Sequence, residues 1–178
     1  MSTRQGSRYE TPWGTGLVWV RDGRLVSVEL PRVAGALGSS VPATPVRPQA
    51  SGVSESDRAV LEHWVAELEA YFRGERLAWS PEDVSLEGLS LGPFARAVYE
   101  ALLSVPPGET VSYGELAEMA GYPRAARAVG NVMATNPIPV VVPCHRVIRA
   151  DGSLGKYGDD PAWKGRLLEH ERAGVHTA

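Results

Sequence analysis

Hydrophobic positions in the first half of the chain follow two different periods. Apolar and β-branched residues fill positions 17–20 and 25–30, with Asp22 and Gly23 between the two runs. Because an Asp-Gly pair accepts the positive φ angles of a tight turn, the pattern predicts an antiparallel hairpin over residues 11–31. From residue 57 to Gly74 apolar residues recur every three or four positions instead, which predicts an amphipathic helix.

The segments around these two elements lack such periods. Residues 1–10 are polar and are expected to be loose, and residues 32–56 are rich in proline, glycine, alanine and serine, which predicts a long irregular connection. A short strand is predicted near residues 78–80.

The second half carries the pattern of several short helices. Apolar spacing predicts a helix over residues 93–105, and Ser112 with Glu115 forms a capping-box pattern that opens another helix. Gly121 ends that helix, and a further one is predicted over residues 124–134. Helix, glycine turn and helix together indicate a helix-turn-helix, although any pair of antiparallel helices gives a similar pattern.

The end of the chain adds one apolar run and one helix. Residues 138–142 are β-branched and flanked by prolines, which predicts a short buried extended segment, and residues 163–172 are predicted to form the last helix. The expected fold class is α+β. A small N-terminal α/β domain with an antiparallel sheet covers residues 1–90, and a mostly helical, winged-helix-like domain covers residues 91–178.

Composition narrows the class of protein. The chain has 178 residues, 43% of them hydrophobic, with one cysteine and four histidines. A single cysteine excludes an internal disulfide and a cysteine-rich zinc site. The four histidines are scattered along the chain, so no metal site is expected, and no cofactor is expected either. No stretch reaches the roughly 18 apolar residues of a membrane span, and residues 1–30 do not resemble a signal peptide, so we expect a cytoplasmic protein with no membrane partner.

The distribution of charge singles out one region. The net charge is −3, but residues 119–156 carry five basic side chains and one acidic one. This basic patch surrounds Cys144, the only cysteine, and favours an anionic partner such as DNA.

Cys144 is the candidate nucleophile. A thiol attacks as its thiolate, and His145, Arg146 and Arg149 follow it closely enough to assist its ionisation. Glu171 on the last helix is a candidate third member of a Cys-His-acid relay. The sequence also allows a plain buried cysteine and a solvent-exposed Glu171.

The helix predicted over residues 124–134 has an unusually slim surface. Small residues let a helix backbone approach another surface closely, and Arg127 projects from among them; the small residues are Ala125, Ala126, Ala128 and Gly130. Close packing against another helix would use the same residues, so both interpretations stay open.

Taken together, these residues resemble the O6-alkylguanine-DNA alkyltransferases. The resemblance is specific over residues 94–172 and weaker before them, where the 11–14 segment Thr-Pro-Trp-Gly, the hairpin and the helix match in outline. It is carried by Ser112-Tyr113-Gly114, Ala125-Ala126-Arg127-Ala128-Val129-Gly130, Asn136-Pro137 and Pro143-Cys144-His145-Arg146-Val147-Ile148.

The resemblance implies a DNA repair activity with a single turnover. Cys144 would take a methyl or larger alkyl group from O6 of guanine, and O4 of thymine is a further candidate substrate. His145 would draw the thiol proton through a water, with Glu171 holding the imidazole. Tyr113 would help to rotate the nucleotide out of the duplex and donate its hydroxyl toward guanine N3.

The remaining implied roles concern DNA and the base pocket. Arg127 would occupy the space that the base leaves, and the slim helix of Ala125, Ala126, Ala128 and Gly130 would lie in the minor groove of double-stranded DNA. Asn136 would brace the turn after this helix, and a monomer is expected. The base would be lined by Met133, Val147, Tyr157 and Gly158.

The sequence departs from the family pattern in two places. Asp159 and Asp160 stand where many members have more glycines, and Ala134 stands where some have a further arginine. The alternative functions are a non-catalytic sensor of alkylated DNA, which would lack the cysteine, a Cys-His-Glu hydrolase, and a helix-turn-helix regulator in which Cys144 is incidental.

Overall fold

Three antiparallel strands form the first sheet of the computed structural model, which describes residues 3–32, 53–155, 157, 160 and 162–176. Strand β1 (Gln5–Thr11) pairs with β2 (Gly14–Arg21), and β2 pairs with β3 (Arg24–Arg32). Between β2 and β3, Asp22 and Gly23 have φ angles of 52° and 69°, the left-handed pair that a two-residue hairpin requires. The predicted hairpin is confirmed.

Strand β1 was not expected, and the prediction that residues 1–10 are loose is wrong for residues 5–10. Tyr9 is fully buried, and its ring lies over Gly16, its partner on β2, where a Cβ would come within 2.1 Å of a ring carbon. The Tyr9 hydroxyl donates to the carbonyl of Glu29 at 2.8 Å. One buried aromatic residue in a polar segment gives no alternation from which a strand could be predicted.

Helix α1 (Glu55–Phe72) confirms the predicted amphipathic helix and begins two residues earlier. The Ser54 side chain caps it by accepting from the amide of Asp57 at 3.1 Å, and Gly74, with a φ of 79°, follows its end. The Asp57 carboxylate accepts from the amide of Gly23 at 2.6 Å, which ties the helix to the hairpin turn. Most of the predicted irregular connection, residues 33–52, lies outside the described residues.

The chain divides into two compact units, residues 1–76 with 87–89 and residues 77–86 with 90–178. The division between residues 90 and 91 stays a prediction. The strand suggested near residues 78–80 is wrong, because Ser80 begins a turn in which the Asp83 amide donates to the Ser80 carbonyl at 3.0 Å.

The second unit is mostly helical. It contains, in order, α2 (Pro93–Leu103), β4 (Val111–Ser112), α3 (Tyr113–Met119), α4 (Ala126–Ala134), β5 (Val147–Ile148) and α5 (Ala162–Val175). The capping box of α3 is confirmed, since the Glu115 amide donates to the Ser112 hydroxyl at 3.1 Å and the Glu115 carboxylate accepts from the Ser112 amide at 2.6 Å. Helices α3 and α4 form the helix-turn-helix.

Strands β4 and β5 pair in parallel, with Val111 opposite Val147 and Ser112 opposite Ile148. Helices α3 and α4 make the crossover between them. The residues that follow the two strands, Tyr113 and Arg149, therefore leave the sheet at the same edge.

Helix α2 ends at Leu103 and not at residue 105, and α5 is longer at both ends than the predicted helix over residues 163–172. Two other predictions in this unit are also corrected. Helix α4 begins at Ala126 and not at residue 124, because Arg124 has a φ of 69° and stands in the turn. Residues 138–142 are buried except for half-buried Pro139, but they form a turn and not an extended segment. Val140 has a φ of 74°, and the Val142 amide donates to the Ile138 carbonyl at 3.0 Å.

The α+β fold class is confirmed by the sheet and the helices. In the part of the chain that the structure describes, no helix is long and apolar enough to cross a membrane.

Candidate active site

Cys144 lies at the start of a single 3₁₀ turn, Cys144–Arg146, that leads into β5. The residue is buried, and its sulfur accepts a hydrogen bond from the side-chain amide of Asn136 at 3.1 Å. The thiol can donate to the hydroxyl of Tyr157 at 3.7 Å. The sulfur is thus held in a fixed position between two polar side chains.

Asn136 joins the end of α4 to the nucleophile. Its amide nitrogen also donates to the Val142 carbonyl at 2.9 Å, and its oxygen accepts from the Ile138 amide at 3.1 Å. These bonds close the turn that delivers Cys144, so the predicted bracing contact is present and a contact to the sulfur is added to it.

Burial raises the pKa of the Cys144 thiol. The hydrogen bonds from Asn136 and Tyr157 and the positive charge of Lys164 lower this pKa, but only in part. The thiol is therefore protonated at neutral pH and needs a base to react. Of the cations expected to assist it, Arg146 points elsewhere, and the charge that acts on the thiol belongs to Lys164.

His145 and Glu171 form a buried pair. The Glu171 carboxylate accepts from Nε2 of His145 at 2.6 Å, and neither side chain is exposed to solvent. The expectation that Glu171 holds the imidazole is matched by this contact, and the alternative of a solvent-exposed acid is wrong.

Arg146 completes the surroundings of Glu171. Its guanidinium donates to both carboxylate oxygens, at 3.0 and 2.9 Å, and to the carbonyls of Val105 and Leu77, at 2.5 and 2.8 Å. The amide of Gly108 donates to the same carboxylate at 2.9 Å. Burial alone raises the pKa of Glu171, but the bonds from His145 and Arg146 outweigh it and lower this pKa to about 2.

The ionised carboxylate fixes the tautomer of His145. Because Glu171 can only accept, the imidazole proton sits on Nε2 and the lone pair is on Nδ1. Burial lowers the pKa of His145 more than the pairing with Glu171 raises it, so the ring is neutral at neutral pH. Among the described residues Nδ1 has no hydrogen-bond partner, and it is free to accept a proton.

Tyr113 is the first residue of α3 and is partly buried. Burial and the negative charge of the Cys144 thiolate raise its pKa, and the charge of Arg149 lowers it. The phenol is therefore protonated and can donate. A Cβ on Gly130 of α4 would lie 4.0 Å from the Tyr113 ring, so the slim helix borders this residue.

Lys164 places a positive charge inside the site. Only 1% of the residue is exposed, and its Nζ lies 5.8 Å from the centroid of the Tyr113 ring. Burial lowers the pKa of Lys164, while the Cys144 thiolate raises it. Lys164 thus faces both the nucleophile and the candidate proton donor.

Helix α4 presents its small residues and arginine at the surface. Arg127 and Ala128 are exposed, while Ala125, Ala126 and Gly130 are half-buried. Met133 and Val147 are buried, as positions beside a pocket would be. The exposure of Arg127 and Ala128 counts against close packing of this face inside the unit.

The segment after Arg149 is described only in part. Tyr157 is buried beside the thiol and Asp160 is exposed, whereas Gly158 and Asp159 lie outside the described residues. No group of three His, Cys, Asp or Glu side chains that could hold a metal ion occurs among the residues that are described.

Comparisons with known proteins show the family of the chain. A family model described as the DNA-binding domain of 6-O-methylguanine DNA methyltransferase matches residues 93–173. A methylated-DNA--protein-cysteine methyltransferase of Mycolicibacterium paratuberculosis is 47% identical over 125 residues, which cover 70% of this chain and 73% of the relative. The chain belongs to the methylated-DNA–protein-cysteine methyltransferase family.

Other members of the family show how far the likeness extends. The mouse methylated-DNA--protein-cysteine methyltransferase is 44% identical over 139 residues, which cover 71% of this chain and 62% of the mouse protein. The crystal structure of Mycobacterium tuberculosis O6-methylguanine methyltransferase is 32% identical with a TM-score of 0.70, and covers 96% of this chain and 94% of that one. The resemblance inferred from the motifs is confirmed.

Sequence reasoning missed two residues of this candidate site. Lys164 was overlooked, although it lies three and four positions before Leu167 and Leu168 on the buried stripe of α5, where a charged residue is unusual. Arg146 was assigned to the thiol, whereas the structure pairs it with Glu171. Nothing in the local sequence shows whether Arg146 would contact the Cys144 thiol or Glu171.

Proposed function

We propose that this chain repairs alkylated DNA by moving the alkyl group from O6 of guanine to Cys144. The observation that carries the proposal is the buried chain of contacts in which Glu171 fixes the His145 tautomer and leaves Nδ1 able to take the Cys144 proton. Family membership supports the same reaction, a methyl transfer from methylated DNA to a cysteine of the protein.

The reaction is an in-line displacement. His145 Nδ1 takes the thiol proton through a water, and the sulfur attacks the alkyl carbon. The S–C bond forms as the C–O6 bond breaks, and the bonding electrons move onto guanine, which takes a proton at N3 from the Tyr113 hydroxyl. The thioether product has no good leaving group, so each molecule acts once. O4 of thymine offers the same chemistry.

Double-stranded DNA is the proposed partner. A base inside the stack cannot reach a buried thiol, so the nucleotide must rotate out, at a cost of a few kcal/mol. We assign Arg127 to the space that the base leaves and the small residues of α4 to the minor groove. The exposure of Arg127 and Ala128 supports this assignment.

Residues beside the thiol are proposed to form the base pocket. Met133, Val147 and Tyr157 are buried, and the Tyr157 hydroxyl lies 3.7 Å from the Cys144 sulfur. Gly158 is assigned to the same pocket from the resemblance. Asn136 orients the thiol. A cytoplasmic location and a monomeric state are further proposals; the first is supported by the need of a lone reactive thiol for a reducing compartment.

The deciding experiment is the intact mass of the protein after incubation with a duplex that contains one O6-methylguanine. We expect one added methyl group per molecule, on the peptide that contains Cys144, and none in a Cys144→Ala variant that still binds the duplex. Binding of the lesion without added mass would favour a damage sensor. A regulator with an incidental cysteine would show neither.

The role of Arg127 has its own test. Arg127→Ala should slow repair in duplex DNA more than it slows the reaction with free O6-benzylguanine, because the free base needs no rotation out of a stack. Arg96→Gln on α2 is a charge-matched control outside the site. If Arg127→Ala lowered the rate equally with both substrates, Arg127 would not fill the space that the base leaves.

A further inference from the structure

Arg149 stands beside the candidate proton donor because of the sheet register. It follows β5 directly, as Tyr113 follows β4, and the two strands pair in parallel. A closed turn holds its backbone: its amide donates to the Ser153 carbonyl at 3.0 Å, and its carbonyl accepts from the Gly152 amide at 2.9 Å. These two hydrogen bonds and the pairing of β5 with β4 therefore hold the backbone of Arg149 in place.

The side chain of Arg149 extends over Gly155 toward the Tyr113 hydroxyl. A Cβ built on Gly155 would lie 3.5 Å from Nε of Arg149 and 4.0 Å from the hydroxyl oxygen of Tyr113. The two groups thus border the same small space, and Gly155, with a φ of 72°, leaves it open. The guanidinium and the phenol therefore both lie next to Gly155.

Arg149 forms no ion pair with an acid among the described residues. The hydrogen bonds with Ser153 and, after them, the charge of Arg149 lower the pKa of Asp151. No carboxylate of the described residues lies within ion-pairing distance of its guanidinium, and the nearby Asp151 carboxylate accepts from the Ser153 amide at 2.9 Å. The residue is exposed at the surface. Its charge lowers the pKa of Tyr113, against the effects of burial and of the Cys144 thiolate.

We propose that Arg149 is a positioning residue for Tyr113. The guanidinium of Arg149 stabilises the negative charge that the Tyr113 oxygen gains when the phenol gives its proton to the leaving guanine. The inference rests on the proposed function. As the alkyl carbon passes to sulfur, the C–O6 electrons move onto guanine, the Tyr113 O–H bond breaks, and the proton goes to N3. The phenolate that remains lies beside Arg149, with the buried Lys164 on its ring.

The test is single-turnover repair of a duplex containing O6-methylguanine by wild type and by Arg149→Gln, Arg149→Lys and Arg96→Gln. Arg149→Gln should lower the rate constant at saturating protein by about tenfold, which is less than the loss of about 100-fold or more expected when the proton-transferring group itself is removed. Arg149→Lys, which keeps the charge, should recover part of the rate. Arg96→Gln, a control for net charge on α2, should match wild type.

Two further measurements separate this role from others. Iodoacetamide alkylates Cys144 and releases iodide, which needs no proton, so its rate should be the same in wild type and Arg149→Gln. In a Tyr113→Phe background, Arg149→Gln should cause no further loss of repair rate.

Three results would overturn the inference: an equal loss with iodoacetamide, a loss that persists without the Tyr113 hydroxyl, or an effect confined to the protein concentration needed for half-saturation. The last would make Arg149 a phosphate contact only. The proposed function fails on a different result, the absence of methyl transfer by the wild-type protein.

Discussion

Lys164 is the residue whose charge most directly affects the nucleophile. Because its positive charge lowers the pKa of Cys144, Lys164→Met should raise that pKa and slow alkylation by iodoacetamide at pH 7 by up to about tenfold, the factor for one pKa unit. The exposed Arg166→Gln on the same helix is the control. An unchanged rate in Lys164→Met would show that Lys164 does not act on the thiol.

The Glu171 carboxylate accepts hydrogen bonds from His145, from Arg146 and from the amide of Gly108. Glu171→Gln leaves Arg146 as a buried charge without its counter-ion, which typically costs about 3–5 kcal/mol. Urea unfolding should show this loss, whereas Glu169→Gln, two residues earlier and exposed on α5, should stay within about 0.5 kcal/mol of wild type. Similar stabilities of the two variants would contradict the buried network.

The same pair predicts how stability depends on pH. The folded pKa of Glu171, about 2, is below its ordinary value of 4.5, so its stabilising effect is complete above pH 4.5 and is lost as the pH falls toward 2. The lowered pKa of His145 means that the unfolded chain takes up a proton near pH 6.5 before the folded chain does. Unfolding free energies measured from pH 7 to pH 3 should therefore fall from about pH 6.5 downward, and the fall below pH 4.5 should be smaller in Glu171→Gln.

At the scale of elements, Gly130 makes α4 less stable but keeps the face that is proposed to bind DNA slim. Glycine inside a helix costs about 1 kcal/mol relative to alanine, and the Cβ of Gly130→Ala would meet Tyr113 only at 4.0 Å, an ordinary contact distance. The variant should therefore be more stable in urea yet bind duplex DNA more weakly, since the added methyl group enters the face assigned to the groove.

A second glycine provides the control for that variant. Gly165→Ala in α5 would place its Cβ 3.4 Å from Leu154, and it should gain stability with unchanged DNA affinity. If Gly130→Ala bound DNA as tightly as wild type in an anisotropy titration, the minor-groove role of this face would be excluded.

Elements with a regular period could be predicted from the sequence, and those set by single dihedral angles could not. The apolar stripe of α1 and the Asp22-Gly23 turn each follow from local rules. The start of α4 depends on the positive φ of Arg124, and the turn before Cys144 depends on that of Val140. Neither residue type favours this conformation, so tertiary contacts impose it.

The site shows the same limit. The nucleophile, the base and the small residues of α4 could be named from motifs, because residue type and order suffice for them. The destination of Arg146 and the burial of Lys164 depend on how α5 packs against the turn at Cys144–Arg146. Such packing brings together residues about twenty positions apart, and the sequence alone does not report it.

At the scale of the whole molecule, a chain of net charge −3 is proposed to bind a polyanion. Between residues 119 and 155 the exposed basic residues are Arg124, Arg127 and Arg149, because Arg146 is buried. With a slope of about −0.9 for each phosphate neutralised, log affinity against log salt should fall with a slope of about −3 or shallower.

Anisotropy titrations over a range of KCl concentrations would measure this slope. Arg124→Gln should make it shallower by about one unit, while Arg96→Gln should leave it unchanged. An affinity that does not vary with salt would contradict the basic surface.

The hydrogen bond from Arg146 to the Leu77 carbonyl has a consequence for truncated forms of the protein. The family model begins at residue 93, so a fragment cut to that domain would lack one of the acceptors on which the buried guanidinium relies. The shortest piece that retains every acceptor of Arg146 described above begins at Leu77. Crystallisation trials or screening with an isolated C-terminal half should start the polypeptide there, since a shorter one would carry a weakened His145–Glu171 pair into every assay.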